Sequence, residues 1–548
     1  MEGLGLMDLI FTNATVLTMD ATARRVRSLG VRGGRIAEVG DDAAVRATLG
    51  PDAEIFDLHG RTVVPGFIDG HTHFINSTFE PVQVDCSTPP LATLKEVLER
   101  LRLAATATTP GLWVRGWGFH WSRVRERRNP TRADLDAIAP EHPVIVMDAS
   151  YHGCFVNSLA LQLAGIDRHS SPQGHGIIVV DDAGEPTGEL FETSSDAPAS
   201  LSWRSYAQRS QAAAIDLVEA NARRHLVLGV TSVSDARVTP EGAALYEAAA
   251  EAGRLPIDIH QMLGGRTFFE TPRLGQAPSE ESLRARRGRL SAGTVKMFMD
   301  VVHPGPAIDR RTPDGYRHTG RNFYSRAEAE ALVLDIVGRG FEPAVHALGS
   351  CGLEQALAAY QTVRRLPGGD APSLRIEHFI IATGEQVDRA ASLGVKAVVN
   401  PGFLHQWGDM YLHGWRGDGT DWDELRIIPI RSMLDAGVTV AAGSDYPCAP
   451  MSPLACIQSA VTRGSMTGEA VDAREAIEPL EALRLYTSSA ATVVDRADVG
   501  TIEVGKRANV VVLDADPTAV APDRISAIRV LETWVDGVRA FPSDGAIA

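Results

Sequence analysis

One recurrence in the middle of the chain constrains the fold more than any other feature. Short apolar runs return again and again, each followed by an Ala/Leu/Glu/Arg-rich stretch with helical character. They lie at 144–147, 229–233, 294–298, 342–345, 374–377, 395–399 and 438–442. Strand, crossover helix and next strand make a parallel sheet, because the helix carries the chain back to the same edge. Seven or eight such units predict a closed (β/α)8 TIM-like barrel rather than an open sheet. The two ends of the chain read differently. Short β-branched runs separated by turn signals such as Arg32-Gly33-Gly34-Arg35 fill both the first 65 residues and the last 50 or so. We therefore expect residues 1–65 plus 498–548 to build one composite β-sandwich domain around the barrel of residues 66–497. Between about 75 and 200 the alternation is irregular and rich in Trp and Gly, which reads as an insertion packed over the barrel mouth.

Composition narrows the partners. The 548 residues carry a formal charge of −16, and the one local basic cluster, Arg123 to Arg128, is interrupted by Glu126. A nucleic-acid partner is not expected. No apolar run reaches the roughly 18 residues a membrane helix needs. The five cysteines are odd in number and include no CxxC pair, which fits free thiols in a reducing, cytoplasmic setting. The N-terminus lacks a basic stretch followed by a long apolar one, so no leader peptide is expected. Either Met1 or Met7 can be the natural start.

The sharpest chemical signal is Pro65-Gly66-Phe67-Ile68-Asp69-Gly70-His71-Thr72-His73. Residues two apart on a strand point the same way. His71 and His73 can thus present both imidazoles to one ion at a strand's carboxyl end, where barrel enzymes keep their chemistry. His346, His378 and Asp445 also fall where apolar runs end, and Lys296 lies within one. Each has an ordinary alternative: a core histidine, a helix-capping aspartate, a solvated lysine. An inward lysine on an apolar strand is the oddest of these, because a buried ammonium needs a modification, a partner or a metal.

Together these motifs resemble the amidohydrolase superfamily, and more narrowly its YtcJ-like branch, which includes N-substituted formamide deformylases. Further stretches carry the resemblance: Gly116-Trp117-Gly118, His152-Gly153-Cys154-Phe155-Val156-Asn157-Ser158, residues 184–192, Arg375-Ile376-Glu377-His378, Gly443-Ser444-Asp445-Tyr446-Pro447 and residues 505–514. It spans nearly the whole chain in the expected order. The resemblance implies a hydrolase of carbon–nitrogen bonds other than peptide bonds. It would cleave a small-molecule amide, an N-substituted formamide or other N-acyl amine, by metal-activated hydroxide. It further implies that His71, His73 and Asp445 hold the more buried of two metals, that a carboxylated Lys296 bridges them, and that His346 and His378 hold the second. Asp445 would be the catalytic base and acid. Zinc is the expected ion, with Mn, Fe or Ni open.

Two positions depart from the family pattern: Ser350 stands where an acidic residue is expected, and Asp300 is followed by Val301, Val302 and His303 rather than Gly. Glu192 is a rival anionic ligand if Lys296 is unmodified. Trp117 and His152 are candidate substrate contacts, or else simply pack the insertion. Family members often self-associate, so a homo-oligomer is compatible. The alternatives are a one-metal deaminase or cyclic amide hydrolase and, further off, a metal-free scaffold.

Overall fold

The computed structural model describes residues 7–172, 174–207, 210–272, 288–312, 315–413 and 424–542. Eight strands form the central sheet: β1 (Phe67–Thr72), β2 (Val230–Val238), β3 (Asp258–Leu263), β4 (Leu290–Phe298), β5 (Glu342–Ala347), β6 (Arg375–His378), β7 (Lys396–Val399) and β8 (Thr439–Ala442). They lie side by side in chain order, every neighbouring pair parallel. Helices such as Pro240–Glu251 and Ser350–Arg365 fill the connections.

The sheet curls so that β1 and β8 meet. At their carboxyl ends, the Asp445 N–H donates to the His71 carbonyl at 2.7 Å and the His73 N–H to the Tyr446 carbonyl at 2.9 Å. Two glycines permit the approach. A Cβ on Gly70 would stand 2.8 Å from the Ala442 oxygen, and one on Gly443 would stand 2.4 Å from the His71 nitrogen. The result is a TIM-like barrel.

Sequences from both ends interleave. A six-stranded sheet runs in the order Val538–Phe541, Val530–Val535, Val510–Leu513, Thr62–Pro65, Thr15–Leu17, Arg25–Val26, with Val63 opposite Val512. A four-stranded sheet of Arg35–Gly40, Ser28–Arg32, Leu9–Thr12 and Glu54–Asp57 packs on it. Leu9, Phe11, Leu29 and Val31 share one core with Val63, Val510, Val512 and Trp534. The last hairpin turns on Asp536-Gly537 with φ of 52° and 71°, the paired positive values that a two-residue hairpin loop demands.

Two readings of the sequence need correction. The run at 144–147 is not a barrel strand. Val144–Asp148 lies inside a separate six-stranded mixed sheet with Ile177–Val180, Pro186–Phe191, Gly153–Val156, Val114–Phe119 and Val84–Asp85. Its apolar side meets Leu94, Val97 and Leu101 of helix Leu94–Ala107. Two barrel strands are absent from the seven runs: β1, marked in the sequence only by its His71-Thr72-His73 motif, and β3, whose Asp258, His260 and Gln261 break the apolar signal. The five cysteines are all free. No helix among the described residues is long and apolar enough to cross a membrane.

Candidate metal centre

Every sequence-selected ligand sits at the carboxyl end of the barrel. His71 lies within β1, and His73 directly after it caps the short helix Phe74–Thr78. Lys296 is two residues from the end of β4, His346 is next to last in β5, His378 ends β6, and Asp445 follows β8. All six are buried.

His71, His73 and Asp445 converge so that one ligand atom from each lies within 4.8 Å of the others. His71 Nε2 is 3.2 Å and His73 Nε2 is 3.1 Å from Asp445 Oδ1. These contacts are misaligned for hydrogen bonding: neither His71 Nε2 nor Asp445 Oδ1 has a hydrogen-bond partner among the described residues. The reason lies one layer out. His71 Nδ1 is bonded to the Glu377 carboxylate, which fixes the tautomer with the proton on Nδ1 and leaves Nε2 a lone pair. A lone pair facing a buried carboxylate oxygen calls for a cation between them. The donor set of two imidazoles and a carboxylate suits a divalent metal.

His346 and His378 extend the cluster. Their ring centroids are 4.6 Å apart, and His378 lies 4.7 Å from His71. The Asn400 amide nitrogen donates to the Gly443 carbonyl at 3.1 Å, so its oxygen accepts from His378 Nδ1 at 2.8 Å and turns Nε2 free. The buried Nε2 of His346 has no hydrogen-bond partner among the described residues. Burial holds His73, His346 and His378 below the usual histidine value, so they stay neutral and able to ligate. Burial alone would raise the Asp445 carboxyl, but the surrounding imidazoles, His71 foremost, take it well below the ordinary range. Burial brings the Lys296 amine down to about 8 against the pull of Glu377 and Asp445. Its Nζ lies 5.3 Å from the Phe298 ring centroid.

Supporting residues that motif reading did not assign hold this geometry. Arg375 is wholly buried, pairs with Glu377, and donates to the Gly70 carbonyl at 2.6 Å. Asp69 accepts from the Ser444 N–H at 2.9 Å and the Ser444 hydroxyl at 2.6 Å, tying β1 to the Asp445 loop. Burial raises its carboxyl to about 6 despite those bonds. Asp300, at one of the two departures, accepts from the N–H groups of Leu348, Gly349 and Ala307 at 2.8–3.1 Å and so shapes the turn after His346. Arg375-Ile376-Glu377-His378 was a visible motif. What it hid was that Arg375 and Glu377, two apart, both face into the barrel.

The remaining candidates divide. Both oxygens of Glu192 are taken, one by His152 Nδ1 at 2.9 Å and the other by the N–H groups of Val302 and His303 at 2.9 and 2.8 Å. His152 stands beside the centre, its ring 5.4 Å from His346. Trp117 packs against the main core, with no ring contact to these histidines among the described residues. An aromatic wall that the sequence did not flag borders the centre instead. Phe268 lies 5.8 Å from His73, Phe298 lies 5.0 Å from His346, and Phe269 and Phe323 stack behind them.

Residues 54–541 match the amidohydrolase family. The chain is 42% identical to an N-substituted formamide deformylase of Arthrobacter pascens over 98% of this chain and 99% of that protein. It is 26% identical to the YtcJ protein of Bacillus subtilis (strain 168) over 97% of this chain and 99% of the other. Its fold matches the crystal structure of an uncharacterized metal-dependent hydrolase from Pyrococcus horikoshii OT3. The TM-score is 0.72 at 22% identity, over 94% of this chain and 99% of that one.

Proposed function

The chain belongs to the amidohydrolase family, and from that premise we propose that it hydrolyses the C–N bond of an N-substituted formamide or a close N-acyl amine. The observation that carries the reading is the convergence of His71, His73 and Asp445 in a buried cluster, with atoms that have no hydrogen-bond partner among the described residues facing one another. The formamide assignment draws on the deformylase relative. His71, His73 and Asp445 would hold one ion, zinc for preference. His346, His378 and a carboxylated Lys296 would hold a second. When bound, such ions supply Lewis acidity, making water a better nucleophile near neutral pH and polarising the acyl oxygen.

The chain's own residues do the rest. Asp445, kept ionised by the imidazoles around it, takes a proton from the attacking water and returns it to the departing nitrogen. Water oxygen joins the acyl carbon, the C–N bond breaks, and formate and a free amine leave. Phe268, Phe269 and Phe298 form an apolar wall that excludes water and receives the N-substituent. Five unpaired cysteines suit a reducing cytoplasm.

The test is a product balance on a panel pairing each N-alkyl or N-arylalkyl formamide with its N-acetyl counterpart. Equimolar formate and amine, faster than acetate release, is the expected result. Ammonia released from ring amines, with no formate from any formamide, would replace this reading with a deaminase.

A further inference from the structure

His152 and Glu192 form a pair that the metal-centre chemistry does not use. Glu192 is fully buried and sits at φ 51°, a left-handed conformation that a non-glycine residue holds only when its surroundings impose it. Three bonds do so. One carboxylate oxygen accepts from the backbone N–H groups of Val302 and His303, the other accepts from His152 Nδ1, and the Glu192 N–H donates to the His152 carbonyl at 2.7 Å. A carboxylate whose oxygens accept from these donors keeps the imidazole proton on Nδ1. His152 Nε2 is then a lone pair, with no protein partner among the described residues. The ring is held between Phe269, Phe298 and Phe268 at 5.0, 5.7 and 5.9 Å and stands 5.4 Å from His346. Phe268 touches both His152 and His73, so the acceptor and the metal centre lie against the same aromatic ring.

We propose that His152 Nε2 accepts the N–H of the substrate amide, and that Glu192, by locking the tautomer, makes the enzyme select N-monosubstituted over N,N-disubstituted amides. This rests on the amide-hydrolase reading above. An N-monosubstituted formamide offers one N–H, and a disubstituted one offers none. A site built around that bond leaves its buried acceptor unpaired when the N–H is missing. His152 is thus a substrate-contacting residue and Glu192 a positioning residue.

Glu192→Gln gives a sharp test. The backbone N–H groups of Val302 and His303 can only donate, so the Gln oxygen must face them and its NH2 must face His152 Nδ1. The tautomer reverses and Nε2 becomes a donor. Two measurements follow on the metal-loaded, full-length protein. Long-range 1H–15N spectra of the 15N-histidine-labelled protein, assigned with His152→Asn, should show the Nδ1–H form in the native chain and the Nε2–H form in Glu192→Gln. Kinetics should show kcat/KM for an N-substituted formamide exceeding that of its N-methyl derivative by about 100-fold or more. In Glu192→Gln that ratio should collapse to within about 10-fold, through a raised KM for the N–H substrate.

A native Nε2–H tautomer overturns the inference, as does a substrate ratio unchanged by Glu192→Gln. Loss of bound metal from His152→Asn also overturns it, because His152 would then be a ligand. The tautomer is measured without substrate, so that result is separable from any failure of the formamide assignment.

Discussion

Replacing Glu377 by Gln removes the charge on which two buried partners depend. Arg375 is wholly buried and ion-paired to Glu377, and its Nη1 has no hydrogen-bond partner among the described residues. His71 takes its tautomer from the same carboxylate. Breaking a buried pair by removing one member costs about 3–5 kcal/mol. Gln still offers Arg375 an oxygen, which places the cost near the lower end, about 3 kcal/mol. Loss of the anionic acceptor behind His71 should separately weaken metal binding about 10–100-fold. Denaturant unfolding of chelated and metal-loaded protein distinguishes the two. The chelated variant should lose the first amount, and the loaded variant should lose more, by the metal linkage.

Removing both charges with Arg375→Met/Glu377→Leu should recover most of the stability while metal affinity stays low. The acid dependence has a defined sign. Burial raises the Glu377 carboxyl, but Arg375 and then His71 overcome it and take it below its ordinary 4.5. Its contribution is therefore full above about pH 4.5 and fades as pH falls through the folded value. Native and variant stabilities should converge only on the acid side. A Glu377→Gln protein with native stability and native metal affinity would refute the reasoning.

Three further outcomes follow. Lys296→Gln should lower metal content from about two ions per chain to about one, read by elemental analysis, with turnover reduced at least about 100-fold. Phe268→Ala should raise KM for arylalkyl formamides about 10-fold while leaving kcat for small ones nearly unchanged, since it removes apolar wall and no reacting group. Burial would lower His303, but its hydrogen bond to Asp148 at 3.0 Å more than reverses that and raises it above 6.5. The stability this pair adds is present below pH 6.5 and lost as pH rises through the raised value. Amide exchange around 300–307, corrected for intrinsic rates, should therefore accelerate in alkali, and His303→Gln should abolish that dependence.

What the sequence made legible is what strand ends make legible. An apolar run that ends in His or Asp, or carries an inward Lys, marks a barrel strand delivering a side chain to the mouth, so all six candidate ligand positions could be read locally. β3 was hidden because Asp258, His260 and Gln261 interrupt it with polar side chains and it loses its apolar signature. The run at 144–147 misled because a buried strand in any sheet reads alike. Glu377, Asn400 and Asp69 acquire their roles only from contacts more than 20 residues away in sequence, to His71, Gly443 and Ser444. The Phe268–Phe298 wall likewise forms only when the loop after β3 meets β4.

The central claim is that metal held by His71, His73 and Asp445 is required for turnover, and that Asp445 also moves the proton. The direct measurement is formate release against metal bound per chain, for the native protein and Asp445→Asn, across a titration of chelated protein with zinc. Native activity should rise in proportion to bound metal. Asp445→Asn should retain a substantial share of the metal, yet lose about 100-fold or more in kcat. Full turnover by the metal-free native protein, or undiminished kcat in a metal-loaded Asp445→Asn, would contradict the account.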